Sequence, residues 1–296
     1  MNIQDFKIFF DIVTHNSFSQ AAAMNHVSQS AVSQTVRRLE SELNCRLIDR
    51  SVRPFQLTRA GKHFFEGSKK ILNLFESLCS EVQASETEEE IAGVVRVAAI
   101  YSVGLVELNQ RIQLFVRLHP KTNVRLAYQR PNLIYDSLDR DEVDLGVVSY
   151  PLPRKDLKIL HWRNERMALV CHPDHPLSRQ NSITADLLQG VKLIAFDRDL
   201  PIRKQIDKWL LKNGIEAEIV MEFDNVENIK QAVEVKAGAS ILPLPTVKRD
   251  VHYRYLSVVP LESAELIRPV GILHKKHKPL STASQAFIKF LLDSTD

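Results

Sequence analysis

The chain has 296 residues, which is long enough for two or three domains. Its residues are 44% hydrophobic and 25% charged, a composition typical of globular proteins. No apolar run reaches membrane-spanning length, and the first residues lack the basic-then-apolar order of a signal peptide. We therefore expect a cytoplasmic protein with no membrane partner. The three cysteines, Cys45, Cys79 and Cys171, are far apart, which argues against a disulfide framework or a zinc site.

The net charge of +3 is unevenly distributed along the chain. Residues 1–62 contain eight Lys or Arg and five Asp or Glu, whereas the remainder contains 31 of each sign. The excess positive charge therefore lies in the N-terminal segment, as phosphate binding would require. Because this excess is small, tight binding to a nucleic acid needs more than one copy of the segment.

The first predicted elements are two short helices joined by a tight turn. Ser17 and Gln20 have the spacing of a capping box, which predicts a helix start at Ser17. Alanines at 21–23 keep this helix thin, so that a second helix can cross it closely. The turn spans 25–27, and we expect Val27 to pack beneath it.

Ser28 is a natural N-cap for the second helix. Its apolar residues recur at helical spacing and predict one buried stripe, formed by Val32, Val36, Leu39 and Leu43. The opposite face offers short donors and acceptors with one cation, namely Gln29, Ser30, Ser33, Gln34 and Arg37. Such a face can read base edges in a major groove, although an isolated pair of this kind is more often an ordinary amphipathic pair.

Two short extended runs follow, Cys45–Asp49 and Phe55–Thr58, and the segment between them carries Arg50 and Arg53. This pattern predicts a two-stranded wing whose arginines reach phosphates or the minor groove. Helix, turn, helix and wing in this order indicate a winged helix-turn-helix DNA-binding domain over residues 1–58. Its predicted DNA-binding residues are Ser28, Gln29, Ser30, Ser33, Gln34, Arg37, Arg50, Arg53 and Thr58.

The segment SFSQAAAMNHVSQSAVSQTVRRLESELNCRLIDR, followed by LTRAG, resembles the DNA-binding head of LysR-type transcriptional regulators. Two positions depart from the usual pattern: Asn44 replaces a common glycine and Ile48 a common phenylalanine. Asparagine tolerates the left-handed conformation, so the helix end is preserved. The resemblance implies a transcriptional regulator that binds double-stranded DNA, with RNA polymerase as a further candidate partner. If two chains assemble, their paired recognition helices would meet the two half-sites of an inverted repeat.

A long helix is predicted from Thr58 to the mid-80s, within a linker segment at 59–90. Its apolar positions alternate at spacings of four and three with one polar member: Phe64, Ser68, Ile71, Phe75, Leu78 and Val82. This heptad seam predicts a coiled coil that holds a homodimer, or a homotetramer built from it. The alternative is a helix that packs on its own domain. The acidic run 85–90 is interpreted as a solvated linker or hinge.

From residue 91 onward the chain alternates strands with helices, which indicates an α/β fold with parallel sheets and helices on both faces. The predicted strands are 94–99, 124–128, 143–148, 167–171, 193–196, 219–223, 240–242 and 270–273. The predicted helices are 105–118, 133–138, one from 184, 201–211, 226–237 and 281–292. We interpret these as an effector domain at 91–296, with lobe I at about 91–162 plus 266–296 and lobe II at about 163–265.

The LysR-type resemblance extends over this region, where 143–146 (VDLG) and 238–243 (GASILP) are its clearest marks. It implies a two-lobed domain similar to periplasmic solute-binding proteins, with a cleft that takes a small metabolite. The region is also faintly similar to the subgroup of Rubisco-operon and carbon-metabolism regulators. That similarity favours an acidic effector, either an organic acid or a phosphorylated metabolite, and no other cofactor.

The cleft should lie at the carboxyl ends of the strands. The predicted effector-binding residues are Tyr101, Ser102, Val103, Gln129, Asn132, Tyr150, Ile202, Arg203 and Asn225. A helix N-terminus together with Ser102 and Arg203 would suit a carboxylate or phosphate. The resemblance implies a Ser or Thr in the pocket at the position of Ser102. For Arg203 the alternative is an ion pair with Asp197, Asp199 or Asp207.

Motifs for catalysis are weak. His172, Asp174 and His175 could form a metal site, but their proline-rich surroundings favour a turn. The sequence shows no glycine-rich phosphate loop, nucleophile elbow or Cys-x-x-Cys. We therefore expect neither catalytic residues nor a metal. The competing class is an enzyme or solute-binding module on the same two-lobed scaffold, with the head as a tether.

Overall fold

The computed structural model describes residues 1–52, 54–85, 91–262 and 266–293. The chain forms two compact units, Met1–Glu88 and Glu89–Asp296. None of the described helices is long and apolar enough to cross a membrane.

The described residues of the first unit form four helices and a two-stranded hairpin. The helices are α1 (Ile3–His15), α2 (Phe18–Met24), α3 (Gln29–Glu42) and α4 (Arg59–Ser85), and strands β1 (Ile48–Asp49) and β2 (Gln56–Leu57) pair antiparallel. Ser17 and Ser28 cap α2 and α3 through their side chains, as predicted. Asn44 adopts a positive φ of 50°, which confirms its helix-ending role.

The turn between α2 and α3 is held differently from the prediction. Val27 is exposed rather than packed beneath the turn. Instead, Asn25 is buried and donates to the carboxylate of Asp11 on α1 at 2.6 Å and to the carbonyl of Ala21 at 2.9 Å. A buried hydrogen-bonded amide thus takes the place of the expected apolar contact.

The second unit is built on a seven-stranded mixed sheet. Its strands are β3 (Gly93–Ala99), β4 (Thr122–Tyr128), β5 (Leu145–Ser149), β6 (Leu157–Cys171), β9 (Ser240–Pro243), β10 (Ser257–Pro260) and β11 (Ile267–Lys275). The order is β10-β6-β11-β5-β3-β4, with β9 also paired to β6. Strands β7 (Lys192–Phe196) and β8 (Glu218–Phe223) form a separate parallel pair.

The helices of this unit are α5 (Tyr101–Val103), α6 (Asn109–Leu118), α7 (Pro131–Asp139), α8 (Pro201–Lys212), α9 (Val226–Glu234), α10 (Lys248–His252) and α11 (Thr282–Asp293). A π-helical segment, Gly104–Leu108, joins α5 to α6, so the helix predicted at 105–118 begins earlier and is irregular. The helix predicted from Thr184 is only a 3-10 turn at Asp186–Leu188.

The prediction of parallel sheets was wrong in one respect, because the large sheet is mixed. The 15-residue strand β6 runs antiparallel to β11 over 157–166 and then continues between β9 and β10 over 167–171. Two hydrophobic cores lie at its two ends, one including Trp162, Val270 and Phe287, the other including Met167, Trp209 and Leu266. We call these the first and second lobes.

Candidate functional site

The exposed face of α3 is one candidate site. Val32, Val36 and Leu39 are fully buried, and Leu43 packs against the same core. The five polar residues of the opposite face line one shallow surface depression, namely Gln29, Ser30, Ser33, Gln34 and Arg37. The predicted division of this helix into a buried stripe and a polar face is therefore present.

The core beneath α3 fixes the orientation of that face. Phe9, Ile12 and Ala21 are fully buried with the α3 stripe. Arg38, on the flank of α3, forms an ion pair with the buried carboxylate of Asp5 on α1. Because α3 is held by apolar contacts and by this ion pair, its outer side chains are presented on a fixed surface.

The wing and its attachment complete this surface. Arg50 is exposed and lies with its guanidinium 5.4 Å from the centre of the Phe18 ring. The predicted contact Arg53 lies outside the described residues. Thr58 donates to the carbonyl of Arg46 at 2.7 Å and accepts from the amide of Gly61 at 2.9 Å, so its hydroxyl caps α4. A Cβ at Gly61 would lie 1.9 Å from the carbonyl oxygen of Leu47, which explains the glycine.

The seam of α4 divides into a packed part and an exposed part. Phe64 stacks on Phe6 with ring centroids 5.4 Å apart and contacts Phe9 edge-on, and Ser68 is buried. Phe64 therefore belongs to the core of its own head. The apolar residues beyond it are exposed: Ile71 by 42%, Phe75 by 45%, Leu78 by 55% and Val82 by 56%.

A second candidate site is an open cavity in the second unit, between residues of the two lobes, with about 420 Å³ of empty space that is partly continuous with solvent. Five of the predicted effector-binding residues line it: Tyr101, Ser102, Gln129, Ile202 and Asn225. The sequence missed nine others, namely Ile100, Arg130, Pro131, Ser149, Phe196, Leu200, Pro201, Asp224 and Val226. The first lobe contributes the ends of β3, β4 and β5, as the rule for strand ends predicts.

Four predicted residues lie outside this lining. Val103 is buried in the core of the first lobe and lines a neighbouring smaller cavity, and Asn132 is exposed on α7. Tyr150 donates its hydroxyl to the carbonyl of Ile267 at 3.1 Å. Burial raises the pKa of Tyr150 to about 12, so the hydroxyl stays protonated at neutral pH.

Arg203 is a correction to the sequence analysis. Its side chain donates to Asp207 at 2.7 Å, to Glu222 at 2.8 Å and to the carbonyl of Phe196 at 2.6 Å. Burial alone would lower the pKa of Arg203, but the bonds to Glu222 and Asp207 outweigh it and raise the pKa. The guanidinium is thus 4% exposed and fully engaged, and it does not line the cavity between the lobes.

Two other arginines take its place near the cavity. Arg268 of β11 is fully buried, donates to Ser102 Oγ at 2.7 Å and forms an ion pair with Glu165, its cross-strand partner on β6. Arg130 lines the cavity itself and reaches three carboxylates of the second lobe, Asp197, Asp199 and Asp224. Both contacts join elements far apart in sequence, so hydrophobic periodicity gave no signal for them.

The histidine-rich segment forms a turn. The ring Nδ1 of His172 accepts from the amide of Asp174, and Nδ1 of His175 accepts from the amide of Leu177. Asp174 pairs with Lys236 at 2.8 Å. No group of three or more His, Cys, Asp or Glu in the described part of the chain could hold a metal ion.

A winged helix-turn-helix followed by a long helix and a two-lobed α/β domain defines a class of DNA-binding proteins with a small-molecule-binding domain. Residues 3–62 match the family model described as "Bacterial regulatory helix-turn-helix protein, lysR family". Residues 88–296 match the model described as "LysR substrate binding domain". The chain therefore belongs to the LysR family of transcriptional regulators, which confirms the resemblance seen in the sequence.

Curated relatives agree with this assignment, and solved structures share the fold. A "Probable RuBisCO transcriptional regulator" of Cyanidium caldarium is 29% identical over 98% of this chain and 93% of its own length. A protein of the same name from Synechocystis sp. is 28% identical over 98% of this chain and 85% of its own length. Full-length CbnR complexed with target DNA matches with a TM-score of 0.78 at 19% identity, covering 98% of this chain and 99% of its own. Full-length OxyR C199D from Pseudomonas aeruginosa matches with a TM-score of 0.68 at 23% identity, covering 99% of this chain and 94% of its own.

Proposed function

We propose that this regulator recognises an inverted repeat of double-stranded DNA through two copies of α3 and is controlled by a metabolite bound between its lobes. The observation that carries the proposal is the arrangement of α3. Val32, Val36 and Leu39 are fully buried, whereas the five polar residues on the other side line one surface depression, all exposed except the half-buried Ser33. Side chains of these types can pair with base edges in a major groove. The exposed apolar seam of α4 supports a dimer, which supplies the second head.

We propose that the effector binds in this cavity between the lobes, whose lining combines apolar side chains with a few polar groups, as ligand sites usually do. Tyr101, Phe196 and Ile202 supply apolar contact, and Ser102, Gln129 and Asn225 supply polar groups. Since Arg203 is engaged elsewhere, Arg130 is the lining cation that supports an acidic effector. An effector that contacts both lobes would favour one arrangement of them, and so shift the population of DNA-bound states.

The test begins with the DNA. The full-length protein should enrich inverted repeats from a pool of random duplexes, with binding that falls steeply as salt rises. The names of its relatives make the region upstream of a Rubisco operon the first natural DNA to assay. Enrichment of no common sequence would refute sequence-specific regulation.

The effector is tested by a thermal-shift screen of organic acids, sugar phosphates and their neutral analogues. A ligand that binds the folded state stabilises it by about 2.7 kcal/mol at a hundredfold excess over its dissociation constant. Ile202→Trp should abolish the shift by filling the cavity. A shift that survives this substitution would place the ligand elsewhere. Homotetramer formation and contact with RNA polymerase stay predictions.

A further inference from the structure

Arg130 joins the two lobes at the cavity. It follows β4 of the first lobe, whereas its carboxylate partners follow β7 and β8 of the second. Its Nη2 lies 2.9 Å from both carboxylate oxygens of Asp199 and 3.2 Å from Asp197, and its Nη1 lies 3.6 Å from Asp224. We call these four residues the Arg130 cluster.

The charges of the Arg130 cluster do not balance. One guanidinium faces three carboxylates, so two negative charges are left without an equal partner within the cluster. Burial alone would lower the pKa of Arg130, but the charge of Asp199 and the bonds to Asp197 and Asp199 raise it. The side chain therefore carries its positive charge at every physiological pH.

The contact with Asp199 is the easiest to replace. The side chain of Asp199 is 68% exposed, so the carboxylate regains water when it leaves Arg130. Exposed ion pairs of this kind contribute little to stability because water and salt compete with them. Arg203 and Arg268 differ, since both are buried and release of either would leave a charge without water.

We propose that Arg130 determines the specificity of the pocket for an acidic effector. Arg130 lines the cavity and Asp199 does not, so the effector's acidic group would compete with the Asp199 carboxylate for the guanidinium from the cavity side. A carboxylate or phosphate on a ligand is negatively charged and accepts hydrogen bonds from a guanidinium, as the Asp199 carboxylate does. Such a group can therefore replace Asp199 as a partner of Arg130. The replacement also removes an ion pair between the lobes. This inference rests on the proposed function, because it assigns the charge of the effector in the same cavity.

The experiment measures backbone amide exchange by mass spectrometry on the full-length protein, with inorganic phosphate as the probe and sodium chloride at equal ionic strength as its control. The reporting peptides contain two amides beside Asp197 and Asp199. The amide of Leu200 donates to the carbonyl of Asp197, and the amide of Lys204 donates to the carbonyl of Leu200. In wild type, phosphate should speed their exchange. Arg130→Gln should exchange fast with or without phosphate, whereas Asp199→Asn should respond at a phosphate concentration about fivefold lower.

Arg154→Gln is the matched control. Arg154 pairs with Asp139 at 3.0 Å, but both belong to the first lobe, and the pair is exposed to a similar degree. This variant should behave as wild type. The inference is overturned if Arg130→Gln keeps the wild-type exchange rate and phosphate response, or if Arg154→Gln reproduces its effect. Selection of an operator by the same preparations is scored separately, so failure of the proposed function is distinguishable from failure of this inference.

Discussion

At the residue scale, the most constrained charge in the effector domain is Arg268. Its guanidinium is fully buried, and burial lowers its pKa. Glu165 compensates as the direct cross-strand partner, and Arg163 donates to the other oxygen of the same carboxylate at 2.7 Å. Ser102 accepts the remaining bond from Arg268, so the cavity wall is tied to the strands that connect the lobes. Such a pair is costly to desolvate and more costly to break.

We predict that Arg268→Met destabilises the effector domain by about 3 kcal/mol, the low end for breaking a buried ion pair, because Arg163 remains bonded to the other oxygen of Glu165. Replacing both residues, as Glu165→Met with Arg268→Met, should recover most of this loss. Unfolding is followed by tryptophan fluorescence, since Trp162 and Trp209 both lie in the unit Glu89–Asp296. If the double variant is as unstable as the single one, the pair is not the cause.

Gln34 belongs to the same scale, since one side chain can carry base discrimination. It is exposed in the middle of the polar face of α3. We predict that Gln34→Ala lowers the preference for the operator over random DNA by about 1–3 kcal/mol. Competition anisotropy with both duplexes measures this ratio. Gln110→Ala, an exposed glutamine on α6, is the control. An unchanged ratio for Gln34→Ala would mean that α3 does not face the bases with this surface.

Arg203 shows why the sequence located the lining of the cavity only in part. The strand-end rule selected Ser102, Gln129 and Asn225, which line the cavity, because the ends of parallel strands meet at one edge. Arg203 was placed by the same rule, but its role depends on Glu222, which comes from another strand. Ion-pair partners are chosen in three dimensions, so the sequence could offer alternatives for Arg203 but could not rank them.

At the element scale, α4 combines two tasks along one seam. Its first turns complete the head through Phe64 and the buried Ser68, and its later turns expose an apolar stripe. Monomeric proteins rarely expose such a continuous stripe. The heptad pattern in the sequence could not distinguish these parts, because both obey the same spacing.

We predict that Phe75→Glu combined with Leu78→Glu converts the assembled protein to monomers, because a dimer seam would then bury like charges without partners. Sedimentation velocity measures the mass. Asn73→Glu, at the opposite position of the heptad, adds a charge to the same helix without entering the seam and should leave the mass unchanged. An unchanged mass for the double variant would show that this stripe does not hold the subunits together.

Strand β6 shows what periodicity misses at the element scale. Its last five residues, Met167–Cys171, are a continuous buried run that the sequence revealed. Its first ten residues mix buried, half-buried and exposed positions without strict alternation. They include Trp162, Arg163 and Glu165, which form an ion pair and an indole hydrogen bond. Charged residues in a strand resemble a loop when their partners are unknown. The sequence therefore predicted only the part of β6 at 167–171 and missed the part at 157–166.

At the scale of the whole molecule, charge and assembly act together. The net charge of +3 is contributed by residues 1–62, a small excess for a protein that must hold a polyanion. Each phosphate neutralised by a head releases counterions and adds about 0.9 to the slope of log affinity against log salt. Two heads on one duplex therefore double the slope as well as the number of base contacts.

We predict that the salt slope of the Phe75→Glu and Leu78→Glu variant is about half that of wild type, because a single head neutralises half as many phosphates. Arg50→Gln supplies an internal standard, since Arg50 is exposed on the wing. It should lower the slope by about two in the wild-type dimer and by about one in the monomeric variant. Anisotropy titrations of one duplex at several salt concentrations give all four slopes. Equal losses in both backgrounds would show that only one wing contacts DNA in the assembled protein, whatever its oligomeric mass.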